Sequence, residues 1–502
     1  MKKRDILKLV KQADRRFFIE AAICPEQHEE ECRMKKRTKI WVIAALAAVL
    51  SIGGVTAAVA MRGRLLEPTN PEIQEIKPNA LGLHLTEETE ANTFSIQHNT
   101  TFYLTESDSG LYFRKTNSEG RSLLCFADKQ TGETVPLCTN PECKHDGSLY
   151  CTASTTAYQN PNPIWVNGSL WAVTLKANNP TPDSHGMVDY EHAHAVVLQI
   201  APDGSSIKEA ADLGEATQIA QPILHRGCLF FYVQRQIGDS VTVENDITHS
   251  TQMLSTTGNE LIAFDMTSQQ AVTLLSEMPE AGSNYHYALP EKIYGVGDYI
   301  YENLASNSWM NPRKSGVYRI SLETGGIETI METDAMYDRY VEDINRNGIL
   351  YGAREDNKSH AYIMHLLNPD TGEDRAVKSL NSDTVGIRTF DGTYFYGSHY
   401  NKDTEDGVLE LMIFDSDGNL IGSNMAPDPV RSVGYAVYRD KIYLTLGDYN
   451  IQRNQAGNIE AVNFTGKGIE LYSCPVQDIL DGKTEWKEVA VLKEPKNEDS
   501  SG

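Results

Sequence analysis

From about Thr93 the chain alternates apolar and polar positions in short runs, the period-two pattern of strands with one buried face. The runs return as a unit. A run rich in aromatic residues opens near Leu111, Leu170, Leu229, Tyr299, Ile349, Tyr394 and Lys441. A variable middle follows each, then an apolar strand ending in a turn built from Asp, Asn, Thr and Gly. Those turns are Phe126–Gly132, Ile200–Gly204, Phe264–Ser268, Ile320–Gly325, Leu367–Gly372, Phe414–Gly418 and Asp478–Gly482. Asp and Asn side chains bond the backbone two residues on, and glycine accepts positive φ, so these segments predict hairpins. In the fifth unit the pattern predicts four strands, near Tyr340–Ile344, Ile349–Arg354, Ala361–Leu367 and Arg375–Val377. One such unit cannot bury both its faces. Seven of them predict an all-β fold, a seven-bladed β-propeller over residues 93–492, whose closed ring protects its strand edges. A pair of β-sandwiches is the competing arrangement.

Upstream the pattern is helical. Ile40–Ala60 runs twenty-one residues without a charge. At about 1.5 Å per residue that length crosses the roughly 30 Å core of a bilayer, predicting one transmembrane helix. Ile6, Val10, Ala13, Phe17 and Ala21 recur at steps of three and four, among Lys8, Lys11, Arg15 and Arg16. Residues 1–39 therefore predict a short basic amphipathic helix, suited to an anionic membrane surface or a docking partner. Twelve Lys or Arg precede the span, while Arg62 and Arg64 alone follow it closely. That asymmetry predicts a cell-membrane protein with its N-terminus cytoplasmic and its C-terminal domain extracellular. Ala58-Val59-Ala60 also fits the cleavage site of a long leader, and the body is exported on either reading. Pro68, Pro71 and Pro78 make residues 61–92 a polar, semi-rigid spacer, and 493–502 read as a disordered tail.

Charge narrows the partners. The formal net charge is −24, and residues 1–64 hold 14 of the 45 basic and 7 of the 69 acidic side chains. The rest carries 31 basic against 62 acidic groups. So acidic a surface repels a phosphate backbone, which argues against nucleic acid as a partner. Six cysteines in this body are too few for a disulfide-stapled scaffold, so core burial must hold it together.

The sharpest chemical signal is Cys138-x4-Cys143-x-His145-x5-Cys151. Three sulfurs and an imidazole within fourteen residues are the donor set of a closed structural zinc site, here in the link between the first two blades. A disulfide among these cysteines, or with Cys125, is the other reading. Cys228 and Cys474 sit in apolar strands and read as core residues. Asp343–Gly348 and Asp415–Asn419 resemble calcium loops, but Arg354 stands where the first would need its bidentate acid, and ordinary turn chemistry explains both. In the head, Cys24, His28 and Cys32 fall four apart and offer three metal-type ligands or two reduced thiols and a solvated imidazole. His192 and His194, near Asp189 and Glu191, read as part of a solvated hairpin. There is no Gly-x-Ser-x-Gly elbow, phosphate-binding glycine loop or His-Glu-x-x-His motif. No catalytic residue or bound cofactor is assigned.

The run Ile6–Ala22, the basic stretch after it and the Trp-containing span resemble the start of anti-sigma-factor-like membrane proteins of anaerobic Gram-positive bacteria. The resemblance implies a cytoplasmic sigma factor as partner, although Cys24-x3-His28-x3-Cys32 departs from the His-x3-Cys-x2-Cys motif of the zinc-binding kind. The repeating body is similar to extracellular propellers anchored in the same bacteria, where Cys-x4-Cys-x-His segments follow the first blade. Together these features predict a binding or sensing module that meets a surface glycan, a peptide or an envelope protein. The alternatives are an enzyme acting on surface polysaccharide and a passive adhesion scaffold.

Overall fold

The computed structural model describes residues 77–88 and, with short interruptions, 104–493. The predicted head with Cys24, His28 and Cys32, the span Ile40–Ala60, most of the spacer and the tail from 494 lie outside the described residues. Among the described residues no helix is long and apolar enough to cross a membrane.

Seven antiparallel sheets follow one another along the chain, each with its strands hydrogen-bonded in sequence order. Blade 1 spans 104–136, blade 2 164–215, blade 3 218–277, blade 4 292–333, blade 5 339–381, blade 6 386–425 and blade 7 432–493. First strands of adjacent blades run beside one another, as in blades 3 to 6, and so surround the centre of the ring. Blade 5 consists of Arg339–Asn345, Gly348–Arg354, Tyr362–Leu367 and Asp374–Asn381, close to its predicted strands. The fold is the predicted propeller.

The aromatic runs that mark the repeat are the second strands of the blades, not the first, as Gly348–Arg354 illustrates. They recur because the second strand lies deepest: Phe113, Phe230, Phe231, Tyr232, Tyr351, Phe395 and Tyr396 are all fully buried. The predicted turns join third to fourth strands, with Asp128, Asp265, Asn368 and Asp415 accepting N–H groups two residues on. The seventh differs: Val476–Leu480 forms a short helix before the last strand, Lys487–Lys493. Blade 3 also departs from four strands. Pro222, which lacks a donor, divides its first strand into Gln218–Ile219 and Ile223–His225, both paired with Cys228–Gln236. A separate hairpin, Val241–Asn245 with Ser250–Leu254, rises from the same blade.

Every seam between blades is filled by an apolar cluster, including the last. Leu111, Phe113 and Leu124 of blade 1 pack with Ala172 and Leu198 of blade 2 and also with Tyr443 of blade 7. The ring therefore closes by side-chain packing, since blade 1 takes all its described strands from one continuous stretch. The seam of blades 3 and 4 also takes in Leu83, which is fully buried. Residues 77–88, the end of the predicted spacer, lie in this groove. Asn79 Nδ2 donates to the Leu322 carbonyl at 2.7 Å, and His84 donates its N–H to Asp265 Oδ2 at 3.1 Å. Thr86 and Arg226 exchange bonds of 2.9 and 2.8 Å. Leu81, Leu83 and Leu85 alternate into the cluster, so this piece behaves as an added strand-like strap.

Strand alternation gives the ring two unlike faces. First-to-second and third-to-fourth connections emerge together as tight turns, whereas every second-to-third connection emerges on the opposite face. Those are the longer ones, notably 177–193, 237–256 and 305–314. The strap binds on the tight-turn face, against the Arg226, Asp265 and Asp298 turns.

Candidate metal centre

Blade 1 has a truncated outer strand. Thr134–Pro136 pairs only with Cys125–Ala127, leaving the Leu123–Leu124 edge of the third strand open. The chain returns to cover it. Leu124 N–H donates to the Ala153 carbonyl at 2.9 Å, and Leu123 bridges to Ser154. Between departure and return lie Cys138, Cys143, His145 and Cys151.

Local bonding draws these residues together. Asn140 Oδ1 accepts the Glu142 N–H at 3.0 Å and its carbonyl accepts the Cys143 N–H at 3.1 Å, a turn that folds Cys143 back toward Cys138. His145 adopts φ 53°, and its N–H donates to Cys143 Sγ at 3.4 Å. Cys151 is buried in the core of blades 1 and 2, and its Sγ stands 3.8 Å from His145 Nδ1. One ligand atom from each of the four residues falls within 4.8 Å of all the others. A tetrahedral zinc with sulfur at about 2.3 Å separates its ligands by roughly 3.8 Å, so the cluster needs only small closure to hold such an ion. Among the described residues it is the only group of metal-type ligands so assembled.

The disulfide reading fares differently. A disulfide requires about 2.05 Å between sulfurs, and all six described cysteines, Cys125 included, are free thiols. Burial raises the Cys138 thiol, but hydrogen bonds from Thr152, the Asn140 backbone and Cys143 outweigh it and bring the pKa to about 6. Cys151 goes the other way, to about 12, because burial dominates and Cys143 and Cys138 add to it. Four protein donors with one buried in the core leave no open coordination position, so an ion here would be structural.

The cluster also fixes a joint. Gly204, in the third-to-fourth turn of blade 2, lies against the returning segment, and an added Cβ would stand 2.1 Å from the Leu137 carbonyl oxygen. Its φ of +73° likewise excludes other residues without strain. Tyr112 of blade 1 stacks on Trp165 of blade 2 at 5.3 Å.

The other sequence candidates do not gather. His194 pairs with Asp212 at 3.0 Å, while His192 is exposed beside Glu215. In the first calcium-like loop, Asp343 accepts from Asn345 and Thr389. In the second, Asp415 accepts the Asp417 and Asn419 N–H groups. Both are turns. Cys228 and Cys474 are buried core residues, as predicted, with the Cys228 thiol pushed up to about 12 by burial.

Two polar groupings had no signal in the sequence. At the seam of blades 3 and 4, buried Glu302 accepts from Tyr232 and Arg313, and Arg313 also reaches Glu277 at 3.2 Å. Around the centre, Glu342 of blade 5 meets Arg388 of blade 6. Each draws single residues from separate blades, so no local spacing marks it.

No family model and no curated protein matches the chain. Solved structures share its general form. An acylaminoacyl peptidase from Pyrococcus horikoshii is 12% identical, with 80% of this chain and 54% of that one covered and a TM-score of 0.44. The β-propeller domain of the trilobed protease from Pyrococcus furiosus, described as having an open velcro topology, is 11% identical, covers 79% and 100%, and has a TM-score of 0.42. Oligogalacturonate lyase from Vibrio parahaemolyticus is 9% identical, covers 76% and 88%, and scores 0.42. The chain spans little more than half the length of the peptidases it matches.

Proposed function

We propose that this protein displays a ligand-binding propeller outside the cell from a single membrane span, with a structural zinc on Cys138, Cys143, His145 and Cys151 locking the joint of blades 1 and 2. The observation that carries the binding reading is the inequality of the two faces. One is tied down by tight Asp/Gly turns and by the strap 77–88, and the other carries the long connections of blades 2, 3 and 4. A rigid ring presenting variable loops on one side is the usual division of labour in binding scaffolds. The closed Cys3His donor set supports zinc, whose preferred ligands are these soft sulfurs and an imidazole. The ligand is a surface glycan, peptide or envelope protein, and the basic head 1–39 relays occupancy to a cytoplasmic sigma factor.

Replacing residues 1–39 by an unrelated basic leader tests the relay while keeping anchor and propeller. The reading expects surface exposure of the propeller to membrane-impermeant label in both strains, with the transcriptional response to envelope material lost only in the replaced one. An unchanged response removes the relay. Failure of the label to reach the propeller on intact cells removes the display itself.

A further inference from the structure

Four consecutive blades bring polar side chains to their first strands, beside the centre of the ring. Lys292 opens the first strand of blade 4, Lys292–Val296. Glu342 and Arg388 occupy matching places in blades 5 and 6, where pairing with the second strand slips by one residue in each. Such a bulge turns its extra residue out of the ladder and re-aims the side chain. Both are aimed at one another: Arg388 Nη1 donates to Glu342 Oε2 at 2.9 Å and to Oε1 at 3.3 Å. Tyr435 lies in the first strand of blade 7, Ser432–Tyr438.

The four are unequally satisfied. The Glu342 side chain is 11% exposed, and burial raises its pKa against the opposing pull of Arg388 and Lys292. Arg388 remains 45% exposed, with only Nη1 engaged. Its Nε and Nη2 have no partner among the described residues. Tyr435 is 5% exposed, and its hydroxyl, close to Arg388 and Ser398, completes no hydrogen bond. Two cations against one carboxylate leave a local excess of one positive charge inside a strongly acidic body. A purely structural ion pair would leave neither the spare edge of a guanidinium nor a buried, unanswered hydroxyl.

We propose that Arg388, Lys292 and Tyr435 bind the carboxylate of a small ligand at the centre of the ring, with Glu342 as the positioning residue that holds the guanidinium. The free edge of Arg388 presents parallel N–H donors that match a planar carboxylate, and the single excess charge suits a monoanion. Lys292 adds a point charge, and the Tyr435 hydroxyl donates to the same oxygen pair. The inference rests on the binding reading above and adds the class of ligand. A sugar acid and a peptide C-terminus both offer this group.

The test is calorimetric titration of the full-length chain in detergent with glucuronate and with N-acetylglycine, using glucose and inorganic phosphate as controls. Saturable binding of either carboxylate, with glucose inert and phosphate weaker, is expected. Glucuronate alone binding identifies a sugar acid, N-acetylglycine alone a peptide terminus, and both the shared carboxylate. Tyr435→Phe should weaken binding at least tenfold without lowering Tm, because the hydroxyl has no partner to lose. Arg388→Lys, which can still pair Glu342, should weaken it comparably. The proposal is overturned if neither carboxylate binds, if phosphate binds more tightly, or if Tyr435→Phe leaves affinity unchanged. Capture of envelope material at full strength by both variants would keep the binding reading and remove only this site.

Discussion

Removing the ion from the Cys138–Cys151 cluster should open one edge of one blade and leave the rest of the ring closed. The segment Ala153–Ser154 covers the Leu123–Leu124 edge through the Leu124-to-Ala153 bond of 2.9 Å and the Ser154-to-Cys151 bond of 2.8 Å. Its position depends on how the fourteen residues from Cys138 to Cys151 are tied. Closing a loop of about 15 residues costs about 3 kcal/mol of chain entropy, and an ion bridging its ends removes that term. Without the ion, local opening becomes easier by a similar amount, roughly a hundredfold in the opening equilibrium. Hydrogen exchange on the full-length protein, with and without a zinc chelator, reads this directly. The amides of Leu124 and Ser154 should exchange about a hundredfold faster after chelation, while that of Tyr318 in blade 4 keeps its protection. Equal protection at Leu124 in both states would refute the tie, and uniform loss around the ring would refute its locality.

Leu83→Ala should destabilise the propeller by about 3 kcal/mol, because a fully buried leucine leaves a cavity in the seam of blades 3 and 4; chemical denaturation measures it. Asp265 gives the strap a pH dependence. Burial raises its pKa, but hydrogen bonds from the His84 side chain and N–H, from Thr267 and from Ser268 outweigh this and lower it. Its contribution is complete above the unfolded value of about 4 and is lost as pH falls through the folded value, so the Tm gap between wild type and Asp265→Asn should shrink from neutral pH toward pH 3. Glu302→Ala should cost about 3–5 kcal/mol, since Arg313 and Tyr232 lose a buried carboxylate, and Arg313→Ala should cost a comparable amount. Gly204→Ala should lower Tm, the new Cβ meeting the Leu137 carbonyl at a positive φ, whereas Gly482→Ala, with nothing within 4 Å, should show only the smaller backbone strain.

The parts of the fold that were legible are those written locally. Buried aromatic second strands and Asp-led turns lie within one unit and recur seven times, so Tyr351 with Asn368 and Tyr396 with Asp415 mark their blades without tertiary information. The Cys138–Cys151 cluster was legible for the same reason, its four ligands falling within fourteen residues. The choice between metal and disulfide was not, because it depends on sulfur separations that spacing does not fix. The strap was concealed by composition: prolines mark 61–92 as a spacer, and only the alternation of Leu81, Leu83 and Leu85 hinted at burial. Glu342 and Arg388 stand 46 residues apart on separate blades and meet through bulges. Ring closure alone makes them neighbours.

The most direct measurement is the metal content of the full-length protein together with its count of reactive thiols before and after chelation. One zinc per chain, with three thiols from Cys138, Cys143 and Cys151 becoming reactive only once it is removed, is the predicted result. A metal-free protein in which two of these thiols are missing as a disulfide would contradict it.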